Sequence, residues 1–221
     1  MGRRRYKVFS IFMAAAALAC AGCGPAPEPS AAPTPPPTAT ISPDELNRGL
    51  GQVVISEFME KNRAVIQDED GDFSDWIEIY NQSGEAVDIS GWSISDKENK
   101  TGWRLPELSL ESGQRLLIFA SGKDRQEGQL HTDFALSGDE GVYLRNEYGV
   151  LCSGAACGGC DGDISMASDL SGGFSPCLYP TPGYESSSAG YESFQQSLLC
   201  ESPLVINEAV VANFSTLPQQ G

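Results

Sequence analysis

Positive charge is scarce in this chain. Its 221 residues carry 14 Lys and Arg against 30 Asp and Glu, a formal net charge of −16. Four of the basic residues, Arg3, Arg4, Arg5 and Lys7, crowd the N-terminus. Beyond them 10 basic residues face 30 acidic ones, or −20, and none follows Arg145. Nucleic-acid binding needs a positive footprint that displaces counterions, so that class is excluded. The one local basic group, Lys97, Lys100 and Arg104, reads as a solvated face. Such acidity suits solubility, repulsion from anionic surfaces, and cations or basic partners. Histidine occurs once, at His131. A lone histidine is more often a structural hydrogen-bonder than a catalyst, and sequence assigns it no nucleophile. P-loop, glycine-rich nucleotide loop and zinc-protease motifs are missing too. Nothing in the chain reads as an active site.

The N-terminal apolar run, residues 8–19, is twelve residues long, short of the ~20 that span a bilayer. It follows Arg3-Arg4-Arg5-Tyr6-Lys7 and ends in Ala17-Leu18-Ala19-Cys20-Ala21-Gly22-Cys23. That order of basic, apolar and small residues marks an export signal. Small residues before a cysteine resemble a bacterial lipoprotein box, which implies that Cys20 or Cys23 is lipidated. The reading is therefore a signal over residues 1–22 and a protein held at the bacterial cell membrane, facing outside. An ordinary secretory signal is the alternative. Residues 23–51 follow as a Pro-rich tether. Pro25, Pro27, Pro29, Pro33, Pro35, Pro36, Pro37 and Pro43 favour an extended spacer over a core.

Downstream, short strands alternate with turn residues. Asp75-Trp-Ile-Glu-Ile-Tyr-Asn81 puts Trp76, Glu78 and Tyr80 on one face and Ile77 and Ile79 on the other. Asn81-Gln82-Ser83-Gly84 supplies a turn. A second strand then runs through Val87-Asp-Ile-Ser-Gly-Trp-Ser-Ile-Ser-Asp96. Residues 52–60 read as an opening strand, Leu116 to Phe119 as a central strand apolar on both faces, and Gly141-Val-Tyr-Leu144 as a late strand. Strands at this spacing with Gly, Pro and Asn turns specify an all-β sandwich, a jelly roll included. The order of these segments, with Trp103-Arg104-Leu105-Pro106, Leu130 to Leu136 and Pro180-Thr181-Pro182-Gly183, resembles the lamin tail domain. The resemblance covers about residues 52–184. It implies an immunoglobulin-like β-sandwich and a binding scaffold with no fixed chemistry.

One loop has a ligand-like pattern. Asp68, Asp70, Asp72 and Asp75 flank Gly71, and alternate carboxylates around a glycine turn can converge on calcium, whose ligands are oxygens. An EF-hand count from Asp68 fails, with Phe73 at the sixth position and Ile79 at the twelfth. A solvated hairpin loop is the favoured reading and calcium the alternative; no other cofactor is expected.

Cysteines number seven. Besides Cys20 and Cys23 they are Cys152, Cys157, Cys160, Cys177 and Cys200. Export favours disulfides among the last five, stapling a Gly-rich loop over residues 153–176. Cys157-Gly-Gly-Cys160 also has zinc-knuckle spacing, with Cys152 and Cys177 as possible further ligands.

Residues 185–202 read as a linker with a short helix. Residues 203–221 repeat the opening strand: Val205-Ile-Asn-Glu208 echoes Val54-Ile-Ser-Glu57. This resembles the start of a second, truncated lamin tail domain; an extra edge strand is the alternative. Two functions follow. One is a non-catalytic, lipid-anchored surface module docking to a cell-envelope or surface protein or polysaccharide. The other is the targeting half of a longer secreted enzyme, a spore coat protein H-like kinase or a hydrolase, with its chemistry beyond residue 221.

Overall fold

A computed structural model describes residues 41–199. The export signal with Cys20 and Cys23, the tether as far as Thr40, Cys200 and the repeat over 203–221 lie outside these residues. The described part forms one unit. Its larger sheet has the order β12 (Phe174–Cys177), β11 (Ser165–Ser168), β1 (Val53–Met59), β2 (Asp75–Asn81), β7 (Arg115–Ala120), β8 (Leu130–His131). The smaller sheet runs β10 (Leu151–Ala156), β9 (Gly141–Arg145), β4 (Ser93–Ser95), β5 (Trp103–Arg104). A two-stranded ribbon pairs β3 (Val87–Asp88) with β6 (Ser109–Leu110). All pairings are antiparallel except β7 with β8. The result is the all-β sandwich expected from the strand spacing.

The apolar row of each sheet makes the core. Ile55, Phe58, Ile77, Ile79 and Ile118 from the larger sheet pack with Trp92, Ile94, Trp103, Val142 and Leu144. A bulge in β1 keeps this row intact. Ile55 pairs with Ile79 and Phe58 with Ile77, so Ser56 is the extra residue. Were Ser56 instead paired in a regular ladder, the two-residue period would turn Phe58 to the opposite face.

Three segments differ from the sequence reading. The strand expected over 87–96 is broken after Asp88. Gly91 takes φ 72°, a left-handed turn that suits glycine, and the chain crosses from the ribbon to the smaller sheet. The Gly-rich stretch 153–176 holds the end of β10 and all of β11, with β12 beginning at Phe174. Small residues belong there. A Cβ on Gly154 would lie 2.9 Å from the Tyr143 ring, and β11 joins the sheet through backbone pairing with β1. Finally, the domain begins before residue 52. Ser42 caps α1 (Pro43–Leu46) in a reciprocal box with Glu45. Asn146 Nδ2 donates to the carbonyls of Leu46 and Arg48. Gly49, at φ 74°, lies so close to Trp92 that an added Cβ would be 2.3 Å from its ring.

The outer face of the larger sheet is also covered. Met59, Trp76 and Phe119 cluster there beneath Val65 and Ile66. Next to them Glu57 and Glu78 are register partners, both fully buried. The closing segment satisfies them: Thr181 donates its hydroxyl (2.6 Å) and its amide to Glu57, and the Gly183 amide donates to Glu78 at 2.6 Å. Ser165 Oγ donates to Glu57 and Ser56 Oγ to Glu78, each at 2.5 Å. Arg115 completes the set at 2.7 Å from Glu78 while stacking on Tyr80. Burial pushes both carboxyls above their ordinary range, and these donors oppose it. Helix α2 (Ser188–Ser197) then docks through Phe194, whose ring lies 6.4 Å from that of Tyr184.

Candidate functional site

The acidic loop joins β1 to β2, and its shape comes from Asp68. This carboxylate is buried and accepts the amides of Asp70 and Asp72 at 3.0 Å each and the Ser74 hydroxyl at 2.8 Å. Gly71, at φ 83°, makes the turn. Asp68, Asp70 and Asp72 each bring an oxygen to one point. That point is filled by the ammonium of Lys123, 2.6, 2.7 and 2.9 Å from the three carboxylates. The position a calcium ion would take therefore carries the chain's own cation. Arg125 extends the network, 3.1 Å from Glu69 and 2.8 Å from Asp70. Together these contacts clamp the acidic loop to the segment between β7 and β8. Burial works against ionisation of Asp68. The bonds from Lys123, Ser74 and the two amides outweigh it and hold the acid at about 2. The same carboxylates hold the Lys123 ammonium above its ordinary range against burial.

Asp75 does not join them. It opens β2 opposite Ala120, and its carboxylate accepts the amide of Asn62 at 3.4 Å. Burial raises it to about 6, opposed by the amides of Asn62 and Leu136 and reinforced by Glu60. Strand pairing fixes the direction of this side chain, which a count along the loop ignores.

His131 is fully buried against Phe119, with ring centroids 5.4 Å apart. Its Nδ1 is 2.8 Å from Ser121 Oγ, and its Nε2 is 3.7 Å from Glu69 Oε1. Serine, histidine and glutamate thus stand in a row. The carboxylate nevertheless lies outside hydrogen-bond range, and burial lowers the histidine's pKa. A buried ring stacked on Phe119 under the acidic loop acts as a packing element.

Among the described residues the cysteines do not gather as a set of four. Cys152, Cys157, Cys160 and Cys177 are all free thiols. Cys152 Sγ lies 3.5 Å from the Val150 carbonyl and Cys177 Sγ 3.2 Å from that of Tyr179. Among the described residues neither joins Cys157 and Cys160 in a group of three or more ligating side chains, as the zinc alternative requires. Burial raises Cys152 to about 11 and Cys157 to about 12.

Glu57 and Glu78 are the polar residues that sequence reasoning missed. Alternation places them on the outward row, and only the closing segment buries them. Beside that segment lies an apolar shelf. Leu178, Tyr179, Leu198 and Leu199 are 68%, 62%, 51% and 65% exposed. Tyr179 lines a cleft of about 380 Å³ with Tyr191, and Leu178 and Leu198 line another on the far side of Tyr191.

A two-sheet sandwich whose polar residues bond to one another defines an immunoglobulin-like scaffold. Residues 47–156 match the family model of the Lamin Tail Domain. The chain is a lamin tail domain protein, and that domain is a non-catalytic module. No curated protein matches the chain. The match ends with β10, so β11, β12 and α2 lie beyond it.

Proposed function

We propose that this protein is a non-catalytic binding module, lipid-anchored at the outer face of a bacterial cell membrane. The reading rests on one conjunction. A lamin tail domain follows an N-terminal stretch in which a basic cluster and twelve apolar residues lead to Cys20 and Cys23. The lipidated cysteine holds the chain at the membrane, and the Pro-rich stretch spaces the sandwich from it. The partner is a protein or polysaccharide of the cell envelope. The exposed shelf of Leu178, Tyr179, Leu198 and Leu199 favours a protein, because apolar area of this kind gains most by leaving water. The charge of −16 argues against a nucleic-acid partner.

Metabolic labelling with an alkyne fatty acid tests the anchor. The full chain takes up label, and either Cys20→Ala or Cys23→Ala abolishes it. Labelling that survives in both single variants and in the double variant refutes the anchor. Protease shaving of intact cells then reports which side of the membrane the sandwich occupies.

A further inference from the structure

Cys157-Gly158-Gly159-Cys160 follows β10 directly, just past the region shared with the family. The loop folds around the side chain of Met166 on β11. Cys160 Sγ lies 3.6 Å from Met166 Sδ. A Cβ on Gly158 would be 3.3 Å from Met166 Sδ and 3.5 Å from Cys160 Sγ. Cys157, three residues before Cys160, and Met166 each pack against the core. The sulfurs of Cys160 and Met166 thus meet on one side of the sandwich, with Cys157 at the other end of the same four-residue loop.

The surroundings hold that loop in place. Glu60 is buried at the end of β1, and its Oε1 accepts the amide of Cys160 at 2.6 Å. Lys61 Nζ donates to the Cys160 carbonyl at 2.8 Å. The second oxygen of Glu60 is buried with no hydrogen-bond partner, a condition that native interiors rarely leave unexplained. It sits beside Gly138, which in turn packs on the backbone of Gly159.

We propose that Cys157, Cys160 and Met166 form a binding site for a soft monovalent cation, copper(I). Two thiolates and a thioether are the donor set that selects Cu(I). Zinc takes thiolate, imidazole or carboxylate ligands in fours, and Cys152 and Cys177 stand apart from this loop. Each thiol releases its proton to solvent as its sulfur–copper bond forms; the thioether binds without proton loss. The ion enters as Cu(I), so no electron is transferred. The bound group carries one net negative charge, and the ammonium of Lys61 beside Cys160 offsets it.

The test is an anaerobic titration of the reduced full chain with Cu(I) against bathocuproine disulfonate, read together with the NMR signals of ¹³C-methyl methionine. The expected result is one Cu(I) withdrawn from the chelator as the Met166 methyl signal moves. Met166→Leu keeps the volume and the fold and weakens binding by on the order of tenfold or more. The double change Cys157→Ser with Cys160→Ser removes this Cu(I), while the other cysteines supply the same background to every variant. A chelator that keeps all its copper overturns the proposal. So does an unmoved Met166 signal, or Zn(II) binding at the same loop that Met166→Leu leaves unchanged. Native protein isolated with Cys157 and Cys160 bonded to each other overturns it as well.

Discussion

Lys123→Met should destabilise the sandwich by about 2–3 kcal/mol. The side chain of Asp68 is wholly buried, and that of Lys123 is 21% exposed. Removing one partner of a fully buried pair costs about 3–5 kcal/mol, because the other charge is left without compensation. The partial exposure of Lys123 and the bonds that Asp68 keeps from Ser74 and two amides reduce that figure. Asp70 and Asp72 are more exposed, and exposed pairs add only about 0–1 kcal/mol each. For a domain of this size each kcal/mol moves Tm by about 2–4 °C. Thermal melting at low salt should therefore show a drop of about 4–12 °C. The double variant Lys123→Met with Asp68→Asn should lose less, since no charge stays buried alone. A Tm within about 1 °C of the parent would refute the reasoning. Millimolar calcium adds a second readout. It should leave the parent Tm unchanged, because the ammonium holds the site, and raise that of Lys123→Met by mass action.

Asp75 links stability to pH. Its folded value of about 6 exceeds the ordinary 3.8, so its contribution is fully present below pH 3.8 and lost as pH rises through 6. Glu57 and Glu78 shift in the same direction. Asp75→Asn, which keeps the acceptor oxygen, should gain Tm relative to the parent between pH 4 and 7; parallel curves would refute this. Asp68 has the opposite sign: held at about 2, it contributes above pH 3.8, and that stability fades as pH falls towards 2. Thr181→Val removes the hydroxyl donor to buried Glu57 at 2.6 Å and should cost about 1.5–3 kcal/mol. Hydrogen exchange should quicken in α2 before β2, and uniform protection would count against the closing role of the segment. Gly49→Ala puts a Cβ against Trp92 at a positive φ and should lower Tm with a change in Trp fluorescence. An unchanged spectrum would mean that α1 and its turn do not seat on the core.

The sequence by itself determined the sandwich. Alternation in residues 75–81 separates Ile77 and Ile79 from Trp76 and Glu78, and both rows stand where a two-residue period puts them. It also determined the acidity of the chain and the turn at Gly71. Other features belong to the tertiary structure, because they depend on which chains meet. Alternation cannot show that residues 180–183 return over Glu57 and Glu78, more than a hundred positions away. Loop spacing suggested four aspartates around a cation. Strand pairing turned Asp75 aside, and a lysine some fifty residues on filled the centre. The sequence reads the stretch 153–176 as a Gly-rich loop to be stapled by disulfides. Its strands form because backbone hydrogen bonds to β1, and contact with Tyr143, need small residues more than large ones. Local pattern fixes which face a side chain takes; long-range contact decides whether that face meets water.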